Sequence, residues 1–574
     1  MPLLIGLCTL LLFNHQFDGL WLWNSLATAV VASGFIASLL GWGWLVRREL
    51  RWDVAWMIGL GVFATLMLPI SMTLGPRWGM VLLPIGWYRV WRMRWEWTYL
   101  SLPSGHCVIS IIMMVWMVWN SQLPIVDTDA LYYHNALPKH MWLWNSLLGG
   151  ELVPNGSRPL IWHLPLTLVY GFGGNPAVVL VSSWTALGAW CSLIEYCEGK
   201  SVHSGWWIWA ILLGSYSLME QSMVVANNMI VLWWVWLAYR EQQSKWVWGM
   251  LLGFAVAGKF TAAVVVGLMG LLGERTWKEK WGEAFLALSV VGVWGIRNVL
   301  DGLHPLFPYA GWQIDMPFVW VDKYGMGREW TDFVLAPWNL LVHAEIDTFQ
   351  FLGQLSPIFG MLLCCWIWNS VFEKRWKEAV LVVGGCVFWF LGPHWIRHLF
   401  PFMGLFLIFS IRSLQIGKWH HTIVVLLFCI GLPSNLSPFI QRQVDQWNGL
   451  STPKGMEATK WLNAHADDGA VALFCVWTGA LLDRPYVLSS VEDHTPVRHW
   501  GLSRGDQAII ELKSQGVRYV AFGPHQFYRS AYPFLSDSEL EQDWEGPMKD
   551  LQRQLKQHGR WVTRLDGVDI YLLE

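Results

Sequence analysis

Apolar runs of membrane-spanning length alternate with short polar segments from the N-terminus to about residue 437, where the pattern stops. A helix needs about 20 mostly apolar residues to cross a hydrocarbon core roughly 30 Å thick. On that measure spans are predicted near 99–119, 177–197, 205–219, 222–239, 246–273, 282–298, 353–371, 378–393, 399–413 and 421–437. About four more are expected before residue 95, and the apolar start lacks a small-residue cleavage site, so it reads as a signal anchor. The 246–273 run is long enough for two short helices broken near Lys259.

Beyond Gln441 charged residues become frequent and shorter periods take over. Gly455–Ala464, Asp506–Lys513 and Lys549–Gln557 have helical spacing, whereas Ala470–Cys475, Val517–Phe522 and Val568–Leu573 read as buried strands. The expected architecture is a polytopic α-helical membrane bundle with a C-terminal soluble α/β domain. It divides into additional N-terminal helices at 1–97, a transmembrane core at 98–437 with a loop at 120–176, and a soluble domain at 438–574.

Composition agrees: 54% of the 574 residues are hydrophobic, 14% are charged, and mean hydropathy is +0.36. The 45 tryptophans, many flanking apolar runs, describe interfacial anchoring. A formal net charge of −2 offers no basic surface for nucleic acid, and no metal-type cysteine spacing occurs. Lys and Arg are retained in short cytoplasmic loops. Arg47, Arg48, Arg51, Arg89, Arg92, Arg240, Lys245, Lys278, Lys280, Lys374, Arg375 and Lys377 make a consistent inside set, which leaves the 120–176 loop and the C-terminal domain external.

Chemistry concentrates directly after the 99–119 run. Asp127 and Asp129 stand there, followed by Tyr133 and His134. Asp127 also suits the N-cap of a helix starting near Ala130, a reading that accounts for one carboxylate and leaves the other. Lys259 lies among Phe254, Ala255, Val256, Ala257 and Val264, where a charge is costly unless it is functional or internally paired. Arg297 has Asp301 one turn on as a partner, whereas Arg397 has no carboxylate within a helical turn and suits a lipid phosphate.

Asp129-Ala130-Leu131-Tyr132-Tyr133-His134, with Pro138 behind it, resembles the first external loop of the GT-C superfamily of membrane glycosyltransferases, roughly D-A-L-x-Y-H. Gly258-Lys259-Phe260-Thr261-Ala262 is similar to a family K-Y-T-A segment. The stretch from Arg297-Asn298 to Pro308 is similar to R-N-x-x-x-G-N-P-x-x-P, and Arg397-His398 to Pro401 to R-Y-x-x-P with His398 in place of Tyr. The resemblance implies a GT-C-like fold in a bacterial inner membrane with a periplasmic C-terminal domain. It also implies an inverting transferase that takes sugar from a polyprenyl-phosphate carrier and delivers it to a lipid, glycan or protein acceptor. Asp129 and Asp127 would be catalytic, and Tyr133, His134, Lys259, Arg297, Asn298, Arg397 and His398 would bind substrate. No cofactor is implied; whether a divalent cation joins the Asp pair is open. Where many members carry an acid, Val224-Val225-Ala226-Asn227-Asn228 has two amides.

Two other readings compete. Pro103-Ser104-Gly105-His106 matches the central motif of lipid-phosphate phosphatases, without that family's companion motifs. A polytopic transporter, or a membrane protein that binds polysaccharide or lipid without catalysis, also fits many spans and an interior lysine.

Overall fold

The computed structural model describes residues 19–93, 104–127, 129–147, 158–199, 204–274, 276–300, 304–305, 329–342, 355–372, 374–391, 396–413, 436–467, 469–476, 478–488, 505–524, 538 and 546–573. Among them, the helices Trp21–Val46, Trp52–Thr73, His163–Glu198 and Trp277–Leu300 are long and apolar enough to cross a membrane. Tyr216–Met223 and Asn228–Arg240, bent by 100°, make a fifth candidate. Other predicted spans are 10–17-residue helices, including Lys245–Gly258 and Ala262–Leu272 on either side of the expected break at Lys259. Fewer full-length spans than the sequence predicts are therefore seen among the described residues. The 421–437 run lies outside them, and several apolar runs are interrupted where polar groups gather.

His163–Glu198 shows how an interruption is built. Gly174 has φ 63°, a left-handed conformation that glycine takes without steric cost, and Pro176 follows it. Among the described residues of the 120–176 segment, Ala136–Trp144 and the first part of His163–Glu198 are α-helical.

The two ends of the bundle differ in chemistry. At one end Asp53 receives Arg240 through two contacts, Nη1–Oδ2 at 2.6 Å and Nη2–Oδ1 at 3.0 Å, and Ser192 Oγ donates to Oδ2 at 2.6 Å. Arg51 reaches Glu195 at 2.8 Å beside them. His106 belongs to this end: Trp209 Nε1 donates to its Nδ1 at 3.2 Å, so Nε2 carries the proton and faces Glu198 Oε1 at 3.2 Å. The histidine of the phosphatase-like tetrapeptide is a buried bridge between helix ends. The opposite end holds the Asp127–Asp129 loop.

The C-terminal domain sits at that opposite end. Five strands, β1 (Ala470–Phe474), β2 (Tyr486–Leu488), β3 (Val517–Phe522), β4 (Gly559–Leu565) and β5 (Val568–Leu573), form a sheet in the order β2-β1-β3-β5-β4. β2, β1 and β3 are parallel; β5 and β4 join antiparallel. Strand side chains alternate between faces. Ala470, Ala472 and Phe474 meet helices Gly505–Ser514 and Gly546–His558, whereas Val471 and Leu473 belong to the apolar core continuous with the helical bundle. The domain is docked as well as linked. Tyr486 donates its hydroxyl to the Ala136 carbonyl at 2.6 Å, and buried Lys139 donates to Ala480 O at 3.1 Å and reaches Asp483 at 3.2 Å.

Candidate functional site

The loop after helix Ser104–Ser121 turns on Asp127, whose Oδ1 accepts the Ala130 N–H at 2.8 Å, the capping role its position allows. Ala130–His134 then forms one π-helical turn, a rare conformation that recurs at functional sites. That turn sets Asp129 toward the outside of the loop and His134 into the protein.

Asp129 forms an ion pair with Arg397, which stands on the short turn Ile396–Leu399 together with His398. The sequence offers Arg397 no carboxylate within a helical turn; its partner comes from 268 residues away. Both side chains keep part of their surface, 27% for Asp129 and 21% for Arg397, so the pair borders accessible space.

His134 is buried with its Nδ1 2.8 Å from His163 Nε2, the two rings nearly parallel at 12°, and Tyr133 lies against it at 3.9 Å between centroids. One nitrogen of the contact must donate and the other accept. Burial, then the neighbouring His163, Lys259 and Arg158, hold the His134 imidazole well below its ordinary pKa, so it is neutral near pH 7.

Lys259 is internally paired. Its Nζ donates to Asn228 Oδ1 at 2.6 Å, and Asn228 Nδ2 passes the chain on to Gln221 Oε1 at 2.6 Å. Asn227 Nδ2 closes the helix break by donating to Gly258 O at 2.8 Å. Arg297 is 1% exposed and donates to the Arg158 carbonyl at 3.2 Å, so it is no interfacial anchor; Asp301, its expected partner, lies outside the described residues. Asn298 is buried beside it. A cavity of about 360 Å³ lies against Asn298, lined by Phe260, Leu288, Val291, Trp294 and Val299 and opening along the outer face of helix Trp277–Leu300.

One acid was missed. Glu220 stands on the short helix Tyr216–Met223, four residues before the Val224–Asn228 stretch where the sequence shows only amides. It receives Arg442 Nη1 at 2.6 Å and shares a narrow cleft with Asp127, Asn120, Gln443 and Gln446. A carboxylate at the break between the predicted 205–219 and 222–239 spans was the available signal. Arg442 was missed as well, because its helix, Ser437–Trp447, belongs to the sequence boundary of the soluble domain. Among the described residues no group of three or more His, Cys, Asp or Glu side chains is placed to hold a metal ion.

Broken helices gathering charged groups at one end, with an α/β domain docked over them, define a GT-C-like helical membrane fold, as the sequence leads one to expect. ArnT from Cupriavidus metallidurans in the apo state is similar to this chain, with a TM-score of 0.51 and 11% identity over 82% of this chain and 98% of that one. ArnT from the same organism bound to undecaprenyl phosphate aligns over the same shares with a TM-score of 0.48. An oligosaccharyltransferase from Archaeoglobus fulgidus in the apo form aligns at 0.39, with 12% identity over 82% of this chain and 74% of that one. At such identities the likeness is one of fold. No family model matches the sequence, and no curated protein matches it.

Proposed function

We propose that this protein is a GT-C-type glycosyltransferase that moves a sugar from a polyprenyl-phosphate carrier to an acceptor hydroxyl on the outer side of the inner membrane, with inversion at the anomeric carbon. The observation that supports it most is a juxtaposition. Carboxylates, a cationic and amide-rich cluster and a lipid-side apolar cavity meet at one end of the bundle, under the docked domain.

The chemistry assigns itself to these parts. The prenyl chain lies along the apolar cavity beside Asn298, with its phosphate toward Lys259 and Arg297. Asp129 accepts the acceptor proton as the hydroxyl oxygen bonds to the anomeric carbon. The bond from that carbon to the phosphate oxygen breaks on the opposite face and the phosphate leaves with the electron pair; one displacement inverts the centre. Arg397 shifts from Asp129 to the growing phosphate charge, which leaves Asp129 a stronger base as the leaving group departs. Asp127 keeps the turn in shape and guides the acceptor, while Tyr133, His134 and His398 shape the walls. No metal is assigned a step. The acceptor remains a lipid, glycan or protein.

Purified protein supplied with a labelled polyprenyl-phosphate sugar tests the reading. Asp129→Asn keeps shape and burial but loses its basicity, so transfer should fall by about 10²–10⁴-fold. The melting temperature should hold. Asp127→Asn should cost less, since an amide oxygen still caps Ala130. Full activity in both variants sinks the enzymatic role of the loop.

A further inference from the structure

We propose that Arg442 is a positioning residue of the acidic cleft, and that the C-terminal domain, whose first helix carries it, completes the active site. The inference rests on the glycosyltransferase reading for its meaning in catalysis, but its geometry stands by itself.

Helix Ser437–Trp447 forms one wall of the cleft. Phe439 wedges it in place, with its ring 5.9 Å from both Trp116 and Tyr216. Gln443 is 3% exposed and locked at both ends of its amide: Trp116 Nε1 donates to Oε1 at 2.8 Å, and Nε2 donates to Asn120 Oδ1 at 2.5 Å. Asn120 in turn donates to Met223 O at 2.8 Å. The wall is therefore fixed against two membrane helices, and Arg442 is delivered to one place. There its Nη1 donates to Glu220 Oε1 at 2.6 Å and to the Tyr216 hydroxyl at 2.9 Å.

The charged and titratable groups facing Glu220 are Arg442 from helix Ser437–Trp447, Asp127 from the loop and Tyr216 from its own helix. Two carboxylates sharing a narrow cleft repel. Arg442 opposes that repulsion and fixes the Glu220 carboxylate in the cleft it shares with Asp127. The cleft sets two acids against one guanidinium, a lining that does not favour an anionic group. The cleft is narrow, with about 50 Å³ of free space. Its narrowness and its two acids suit a small uncharged group such as an acceptor hydroxyl.

Glu220 can be read without knowing the acceptor. A hydrophobic carbodiimide reacts with protonated carboxyls, and peptide mapping reports which carboxyl was labelled. At pH 7 Glu220 should label at least tenfold faster in Arg442→Gln than in the parent. Arg442→Lys should protect it nearly as well as Arg442, and thermal melts should show all three folded. Equal labelling of Glu220 in parent and Arg442→Gln overturns the proposal. Kinetics with a labelled polyprenyl-phosphate sugar and methyl glucoside as surrogate acceptor follow: Arg442→Gln should raise the acceptor KM tenfold or more and leave the donor KM in place. A change in the donor KM alone would also overturn it. If the parent shows no transfer while the labelling contrast holds, the glycosyltransferase reading fails and the positioning role survives.

Discussion

The two ends of the bundle both carry buried or half-buried ion pairs, yet they are built for different purposes. Asp53 is 0% exposed, and Arg240 and Ser192 occupy both of its oxygens. Asp129 and Arg397 are joined to each other while keeping about a quarter of their surface, and Asp127 spends one oxygen on a cap and faces a cleft with the rest. A saturated pair ties helices together. A partly exposed one can be reached by a substrate. The distinction cannot be read from residue type, since Asp, Arg and Ser serve at one end and Asp, Arg and His at the other.

The comparison breaks most visibly at Asp53. Asp53→Asn removes the fully buried partner of Arg240 and leaves it, among the described carboxylates, only Glu241, at 3.0 Å, a loss on the scale of a broken buried pair, up to about 3–5 kcal/mol. A large drop in melting temperature in detergent is expected, with transfer per folded molecule unchanged. If Asp53→Asn abolishes transfer while the protein stays as stable as the parent, the division into a structural end and a working end is wrong.

Arg397 sharpens the same contrast from the other side. Arg397→Ala should lower kcat about 10–100-fold and move the donor KM less, because the guanidinium meets the phosphate most strongly in the transition state. Arg397→Lys should recover only part, since an ammonium lacks the forked donors. An unchanged kcat in both, with a lower melting temperature, would make Arg397 a second Arg240.

How far the sequence foretold this contrast depends on distance along the chain. Local signals were readable: the capping of Ala130 by Asp127, the break at Lys259, and six of the eight α-helices and strands described between residues 456 and 573, to within three residues at their ends. β2 was missed because it is three residues long, and β4 because Gly559–Leu565 is a largely exposed edge strand interrupted by Arg560 and Arg564. Pairings between remote segments were not readable. Asp129 with Arg397, Lys139 with the 480–483 turn and Arg442 with Glu220 join residues 222 to 344 positions apart, and no periodicity links them. Charge counting gave Arg397 the freedom that folding removed.

The docking of the soluble domain extends the comparison to a neutral contact. Tyr486→Phe removes the donor to Ala136 O from a fully buried site, worth about 1–2 kcal/mol when the carbonyl is left unsatisfied. The melting temperature should fall modestly, and proteolysis between the bundle and the sheet should speed up. A variant as resistant as the parent would mean that Lys139 and the apolar core seat the domain without Tyr486.

The smallest expected effect is a pH dependence at the same junction. His140 lies on helix Ala136–Trp144 with Tyr486 packed edge-on at 5.5 Å. Burial pushes its imidazole down to about 3, against a weaker upward pull from a hydrogen bond with the Tyr486 main chain. In the unfolded chain the same group titrates near 6.5. Between those values the unfolded state binds a proton that the folded state refuses, so stability is full above about pH 6.5 and is lost as the pH falls toward 3. From about pH 7.5 to about pH 6 this single group should cost the folded state about 0.8 kcal/mol. His140→Phe keeps an aromatic ring against Tyr486 and cannot titrate, so the melting temperature of the variant should fall less over that interval than the parent's. Parallel pH profiles would show that His140 is already protonated or already solvated in the folded protein, and that the junction between bundle and domain is wetter than its packing implies.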